Sequence, residues 1–263
     1  MLFRSAEIGV FGGSGFYSFL DDVEAVAVDT PYGTPSSRLF LGEVGGRKVA
    51  FLPRHGVNHE YPAHTINYRA NLWAMKEAGV KWIFGPCACG SLQPNVAIGD
   101  FVVCDQFVDR TNARRDTFYD GPITTHVSAA DPYSPVLRRL LIDGCKDLGI
   151  TVHETGTVVV IQGPRFSTRA ESKWFASAGW EVINMTAYPE GFLARELEIA
   201  YANISLITDY DVGVEGVPPV THAEVMATFT ANNAKLRDLL FHTIPKVPAE
   251  PDPHAANALD GAR

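Results

Sequence analysis

The stretch Ile8–Gly15, IGVFGGSG, decides the fold class, because an apolar strand runs directly into a turn of small residues. The same pattern returns at Lys48–Gly56 (KVAFLPRHG) and at Val80–Ser91 (VKWIFGPCACGS). Strands that are apolar at successive positions are typical of strands buried on both faces. Amphipathic segments separate these strands along the chain, and this alternation predicts an α/β fold with a mixed, centrally parallel sheet.

The remaining elements follow from the same reading. Strands are predicted at Ile8–Gly12, Arg38–Val44, Lys48–Pro53, Val80–Gly85, Phe101–Asp105, Gly156–Gln162, Glu181–Asn184 and Ala202–Thr208. Helices are predicted before Gly79, after Ser134-Pro135, from Arg169 to Ala178, after Pro189 and from near Thr221. Residues 1–247 form one predicted domain. Residues 248–263, PAEPDPHAANALDGAR, contain three prolines and have little to bury, so we expect a mobile tail.

Composition excludes several classes of protein. The 263 residues carry 22 Lys and Arg against 30 Asp and Glu, a net charge of −8, and 46% are hydrophobic. An acidic chain without a basic cluster is a poor nucleic-acid binder. No apolar run is long enough to span a membrane and no signal peptide precedes Ile8. The four cysteines are therefore expected to be reduced thiols in a cytoplasmic protein.

Polar or glycine-rich segments follow six of the predicted strands. They are Gly12–Gly15, Pro53–Gly56, Pro86–Ser91, Gly163–Glu171, Asn184–Thr186 and Thr208–Asp211. Ligands of α/β proteins bind outside the carboxyl ends of the strands. The coincidence of six such segments therefore predicts one ligand site at this edge of the sheet.

Two of these segments favour an anion, and a third favours close approach of a ligand to the backbone. The turn containing Ser14 presents backbone N–H groups, although a plain tight turn has the same sequence. Arg54 and His55 place two donors at a strand end, with no acidic counterpart expected nearby; a surface ion pair is the alternative. His59 and His64 follow within ten residues of His55, but no ligand pattern of cysteines or carboxylates accompanies them, so we predict no metal site. The Cys87-x-Cys89 pair could indicate redox chemistry, but close backbone approach to a ligand is favoured.

Asp209 and Asp211 indicate acid–base chemistry. In an extended strand, side chains two residues apart point to the same side. Two neighbouring carboxylates repel one another, so the pKa of one of them is expected to rise. One carboxyl could then donate a proton while the other accepts a hydrogen bond. A calcium loop shares the Asp-x-Asp spacing, but its later glycine and glutamate are missing.

Taken together, the chain resembles the trimeric branch of the purine nucleoside phosphorylase family, which includes the methylthioadenosine enzymes. The resemblance extends from about Ile8 to Ile244 and rests on runs that stand in the family's order. Among them are GGSGF, RHG, NYRANLWAMKEAGV, ACGSL, GPRFSTRAES, NMTAYPE and TDYD. It implies a sheet with a distorted barrel, a homotrimer, and attack of inorganic phosphate on a purine nucleoside with inversion and without any cofactor.

The resemblance also implies roles for individual residues. The phosphate site would comprise Ser14, Arg54, His55, Ala88 through its backbone, and Thr186. The nucleoside site would comprise Phe166 on the base, Met185 beneath the ribose, Asp209 and Asp211 at an adenine, His222 and Val225, and His126 from a neighbouring subunit. Asp209, Asp211 and His55 are the predicted catalytic residues.

Four residues depart from the family's pattern. Gln162 stands where a glutamate is usual, and Pro86 and Cys87 stand where threonines are usual. His222 replaces the small apolar residue of the methylthioadenosine enzymes and matches a histidine of the nucleoside enzymes that binds a 5′-hydroxyl. The expected reaction is phosphorolysis of methylthioadenosine. The alternatives are a phosphorylase of adenosine or other 5′-hydroxyl nucleosides, a hydrolytic nucleosidase, and a non-catalytic nucleotide-binding or redox module.

Overall fold

The computed structural model describes residues 6–14, 16, 18, 20, 22–212 and 221–263. Its strands are β1 (Ile8–Gly12), β2 (Glu24–Val26), β3 (Leu39–Val44), β4 (Arg47–Pro53), β5 (Trp82–Ser91), β6 (Phe101–Val102), β7 (Gln106–Arg110), β8 (Val152–His153), β9 (Thr157–Ile161), β10 (Val182–Asn184) and β11 (Ala200–Tyr210). Its helices are α1 (Tyr68–Glu77), α2 (Pro135–Asp147), α3 (Arg169–Ser177), α4 (Ala187–Glu196), α5 (His222–Thr243) and α6 (Pro253–Ala256).

The strands form one mixed sheet in the order β2-β3-β4-β1-β5-β10-β9-β7, and β11 pairs with β5 and carries β6 and β8. The helices cover both faces: α1 and α4 pack together, and so do α2 and α5. The predicted α/β class with a mixed, helix-flanked sheet is therefore confirmed. The sheet is not closed, however, so the distorted barrel corresponds to a branched sheet here.

The sheet branches at the long central strand β5. Along one edge, β1 pairs in parallel with Trp82–Phe84, whereas β10 pairs in the opposite direction with Gly90 and Ser91. On this edge, residues 85–89 of β5 pair with no other strand among the described residues. Both β1 and β10 therefore run with their carboxyl ends toward the middle of β5, which opens a gap between them.

Strand β5 continues through a segment that the sequence predicts to be a turn. Residues 85–91, GPCACGS, are small and were expected to leave the strand after Gly85. Instead β11 pairs with β5 from Trp82 to Ser91 and supplies the backbone hydrogen bonds that keep it extended. Gly85 is required here, because a Cβ atom would lie 1.9 Å from the Tyr201 hydroxyl. A run of small residues thus allows close packing without ending the strand.

The predicted cap and first-turn proline at Ser134-Pro135 are confirmed. Ser134 accepts a hydrogen bond from the backbone N–H of Leu137, and Pro135 opens α2. Thr168 and Glu171 form a reciprocal capping box at α3. Helix α4 begins at Ala187, before the predicted Pro189, and contains one non-helical residue, Tyr188. The hydrophobic pattern did not predict the short strands β2, β7 and β8, because two to five residues give little periodicity.

The C-terminal segment 248–263 has more to bury than its composition suggests. Asp252 is buried and accepts a hydrogen bond from the Ser134 hydroxyl, and Ala255 and Ala258 are also buried. The backbone N–H of His126 donates to the carbonyl of Ala262 at 2.8 Å. The expectation of little buried surface was therefore wrong, because small alanine side chains fit closely against the domain. The mobility of this tail stays a prediction. None of the described helices is both long and apolar enough to cross a membrane.

Candidate functional site

A cavity of about 390 Å³ lies where the sheet branches, and residues from all six predicted strand-end segments line it. Of the predicted site residues, those that line this cavity are Ser14, Arg54, His55, Ala88, Phe166, Met185, Thr186, Asp209, Asp211, His222 and Val225. The converging ends of β1, β4 and β10 bring them together, although up to 211 residues of sequence separate Ser14 from Val225. Gly15, from the first turn, is outside the described residues.

His126 is the one predicted site residue outside the cavity. Its side chain is exposed on the surface, and its backbone is fixed by the C-terminal segment. This placement is compatible with a residue lent to a neighbouring subunit, which is how the resemblance assigned it.

The end of the cavity where an anion is predicted to bind, called the anion end below, is built around Arg54, which is fully buried. Its Nε donates to Oε2 of Glu190 at 2.7 Å, and its Nη2 donates to Oε1 of the same carboxylate at 2.6 Å. Nη1 donates to the carbonyl of Pro86 at 2.8 Å. Burial alone would lower the pKa of Arg54, but the Glu190 carboxylate raises it. The expectation that no acidic residue lies near Arg54 was wrong.

Glu190 is therefore a partner of a predicted site residue that the sequence analysis did not identify. Its Oε1 also accepts a hydrogen bond from the Tyr201 hydroxyl at 2.7 Å, so the carboxylate is held on two sides. Gly13 leaves room for this arrangement, because a Cβ atom there would lie 2.9 Å from Nη1 of Arg54. The available signal was the glutamate of the Tyr-Pro-Glu run that opens α4, a charged residue on an otherwise small and apolar face.

His55 lies beside Arg54 with a defined tautomer. Its Nδ1 lies 2.9 Å from the carbonyl of Tyr61, and a carbonyl oxygen only accepts, so Nδ1 carries the proton. Burial lowers the pKa of His55 to about 3, and the nearby charge of Arg54 acts in the same direction. The ring stacks on His59, with centroids 4.4 Å apart. His55 is thus a neutral imidazole at physiological pH rather than a second cationic donor.

Thr186 and Cys87 complete the anion end. The Sγ atom of Cys87 lies 3.5 Å from the Thr186 hydroxyl oxygen, and burial raises the pKa of this thiol. A neutral thiol occupies the place where the family has a hydroxyl, which removes one strong donor. Pro86 contributes through its carbonyl, as described above. All four cysteines are buried and unpaired, so the Cys-x-Cys run forms no disulfide.

Two carboxyl groups mark the opposite end of the cavity. Asp209 accepts a hydrogen bond from the Thr208 hydroxyl at 2.7 Å, and Asp211 is buried immediately after β11. Burial raises the pKa of Asp209 to about 6, and the neighbouring Asp211 adds a smaller effect in the same direction. Burial also raises the pKa of Asp211. The predicted rise in pKa is present, but burial rather than repulsion between the two carboxylates is its main cause.

His222 and Val225 lie on the first turns of α5. Thr221 caps this helix and Glu224 completes its capping box, so His222 is not needed as a cap. His222 lines the cavity, and its ring lies 5.7 Å, centroid to centroid, from the ring of His59. His59 was weighed only as a metal ligand, yet it lines the cavity. Among the described residues, no group of three or more His, Cys, Asp or Glu side chains could hold a metal ion.

Gln162, another departure from the family's pattern, lies outside this cavity. Its Oε1 accepts from Nε of Arg114 at 3.2 Å and from the backbone N–H of Asn112 at 2.9 Å. Arg114 in turn donates to the carbonyl of Tyr188 at the start of α4. A neutral amide therefore keeps the acceptor geometry of a glutamate here without its charge. The exposed Phe166 reaches the cavity from the loop before α3.

Comparisons with known proteins agree with this geometry. The chain is 52% identical over 252 residues to a purine nucleoside phosphorylase of Streptomyces coelicolor, covering 93% of this chain and 90% of that protein. It is 50% identical over 261 residues to an S-methyl-5′-thioadenosine phosphorylase of Thermofilum pendens, covering 98% and 99%. The solved structure of methylthioadenosine phosphorylase from Schistosoma mansoni in complex with adenine superposes with a TM-score of 0.93 at 34% identity, covering 98% and 99%. Residues 7–245 match the model of the phosphorylase superfamily, and the chain belongs to that family.

Proposed function

We propose that this protein catalyses phosphorolysis of S-methyl-5′-thioadenosine to adenine and 5-methylthioribose 1-phosphate. The observation that carries the proposal is one cavity with Arg54 and Thr186 at one end and Asp209 and Asp211 at the other. The first end suits a tetrahedral oxyanion, and the second suits the amino group and ring nitrogen of an adenine. The named relatives at about 50% identity support the same reaction.

In this reaction a phosphate oxygen forms a bond to the anomeric carbon while the glycosidic bond breaks. The electron pair of the broken bond passes to the purine. Positive charge develops on the ribose, which Met185 adjoins, and negative charge develops on the departing base. A protonated Asp209 can donate to the base as this charge grows, while Asp211 accepts from the exocyclic amino group. General acid assistance of this kind contributes about 10²- to 10⁴-fold. The residues require no metal or organic cofactor for these steps.

The preference at the 5′ position is the finer part of the proposal. His222 can hydrogen-bond a 5′-hydroxyl, whereas Val225 offers apolar contact to a methylthio group, and both line the same cavity. We infer that adenosine is a second substrate. A relative named purine nucleoside phosphorylase at 52% identity supports this broader range.

We further propose that the active form is a homotrimer in the cytoplasm. The exposed position of His126, away from its own cavity, supports a role at a neighbouring subunit's site. Four buried, unpaired cysteines support a reducing compartment.

Initial rates on methylthioadenosine, adenosine and inosine, each with and without inorganic phosphate, test the proposal. We expect release of adenine from the first two only when phosphate is present, and little release from inosine. Release without phosphate would instead identify a hydrolytic nucleosidase, for which a cavity end built for an oxyanion has no use.

A further inference from the structure

The charge of the anion end is already balanced within the protein. The buried guanidinium of Arg54 faces the buried carboxylate of Glu190 in a two-point ion pair. Three of the five guanidinium N–H groups are used by Glu190 and the Pro86 carbonyl. The two that remain, one on each Nη atom, are available to a ligand. A bound anion therefore meets directed donors but little net positive charge.

His55 supplies an acceptor rather than a donor at this end. Its Nδ1 donates to the Tyr61 carbonyl, while burial and the adjacent guanidinium of Arg54 lower the pKa of the ring and keep it neutral. The remaining ring nitrogen, Nε2, therefore presents a lone pair. The groups that face this ring are Arg54, His59 and His222, and each of them opposes protonation of Nε2. In the part of the chain that the structure describes, no hydrogen-bond partner is assigned to Nε2, and His55 lines the cavity.

A fixed acceptor can be satisfied by an oxyanion only if that oxyanion brings an O–H group. Resting on the function proposed above, we propose that the anion end selects a tetrahedral oxyanion that carries a proton, with Nε2 of His55 accepting it. Phosphate and arsenate carry such a proton near neutral pH, whereas sulfate does not. A sulfate oxygen would face the Nε2 lone pair with its own lone pairs, and a buried acceptor would stay unpaired.

Calorimetric titration of the protein with inorganic phosphate, sulfate and fluorophosphate tests this selection directly. Fluorophosphate has the shape and charge of hydrogen phosphate but has fluorine in place of the hydroxyl. We expect phosphate to bind at least about tenfold more tightly than either of the other two anions, from the cost of one unpaired buried acceptor. Equal affinities, within about twofold, would overturn the proposal.

Two substitutions locate the effect. In His55→Gln the terminal amide can turn its N–H toward the anion, so the preference for phosphate over sulfate should fall below about threefold. The matched control is His59→Gln, which alters the stacked neighbour and leaves the bond from Nδ1 of His55 to the Tyr61 carbonyl. This control should keep the preference. Loss of the preference in both variants would assign it to the stacked pair and overturn the role of Nε2.

Two further readouts keep these tests decisive. If His55→Gln does not fold, as judged by its thermal unfolding, the three anions on the unsubstituted protein still decide the question. Arsenate should also support base release from the nucleoside, because it carries the same proton as phosphate. The titrations need no turnover. Absence of phosphate-dependent base release would therefore count against the proposed function, whereas equal anion affinities would count against the selection alone.

Discussion

The two ends of the cavity treat buried charge in opposite ways. At the anion end, Arg54 is fully buried and its charge is balanced by Glu190, which also accepts a hydrogen bond from Tyr201. The opposite end, where the purine base is proposed to bind, is called the base end. Among the residues that the structure describes, no cation forms an ion pair with Asp209 or Asp211 there, and burial raises the pKa of each. The first end therefore holds preorganised donors and the acceptor of a neutral His55, and its charge state is insensitive to pH. The second can gain and lose a proton in the working range.

The comparison also explains how one fold supplies both kinds of chemistry. The anion end rests on β1, β4 and the start of α4, where an opposite charge can be packed beside Arg54. The base end rests on the end of β11, next to Gly90, where the small neighbouring residue leaves space but supplies no compensating charge. A buried charge with an opposite charge beside it keeps its protonation state and suits ligand binding. A buried carboxyl without a cation beside it has a raised pKa and suits acid–base catalysis.

Breaking the compensated end should have the largest effect. Arg54→Ala leaves the Glu190 carboxylate buried without its cation, which should cost about 3–5 kcal/mol of the free energy of unfolding. It should also lower kcat/KM for phosphate by about 10³-fold, since a main donor set is lost. Urea denaturation and phosphate-dependent initial rates measure the two effects.

A double variant separates stability from binding at this end. Arg54→Met with Glu190→Gln removes both charges and keeps an acceptor for the Tyr201 hydroxyl, so most of the lost stability should return. Phosphate binding should stay weak. Restoration of normal phosphate kinetics by this double variant would show that Arg54 does not contact the anion.

The uncompensated end should give a smaller effect, and one that depends on pH. If protonated Asp209 is the working form, kcat/KM for the nucleoside should fall as the pH rises through about 6. Asp209→Asn should remove this limb and lower kcat/KM for adenosine about 10²-fold at low pH. An amide can donate to a 6-carbonyl, so inosine should lose less. A wild-type protein that cleaves inosine as readily as adenosine would contradict the assignment.

The same group links pH to stability. Its pKa in the folded protein, about 6, is above the ordinary value of 3.8, so the folded state favours the protonated form. Stability is then highest below the ordinary pKa and is lost as the pH rises toward the folded value. Asp209→Asn should therefore raise the free energy of unfolding at pH 8 by about 2–3 kcal/mol relative to the wild type. If the free energies of unfolding of Asp209→Asn and the wild type differ by the same amount at pH 4 and at pH 8, the pKa of Asp209 is not perturbed.

The smallest effect is expected at His222, which lines the same cavity and lies near His59. A net hydrogen bond to a 5′-hydroxyl is worth about 0.5–1.5 kcal/mol. His222→Val should therefore lower kcat/KM for adenosine a few-fold to about tenfold, and leave or improve that for methylthioadenosine. The ratio of the two values isolates the 5′ contact, because phosphate and base contacts cancel. If the ratio stays constant, His222 does not read the 5′ substituent.

Much of the site could be predicted from sequence because strand ends are local features. The GGSG turn, the Arg54-His55 pair and the Asp209-x-Asp211 spacing each follow an apolar run. The structure brings Gly13 and Ser14 of the first, and both named residues of the other two, to one cavity. The cap predicted at Ser134 was equally local, and the helices predicted from Arg169 and from near Thr221 begin within about one residue of those positions.

The tertiary structure alone decided what surrounds each of those groups. Burial, a partner 136 residues away at Glu190, and the tautomer set by the Tyr61 carbonyl determine whether a side chain is charged, donating or accepting. None of these has a local pattern, because each depends on how β5 branches the sheet and on which elements then meet at the gap. Residue types determined which chemistry was available to this chain, and packing determined the protonation state in which each group is held.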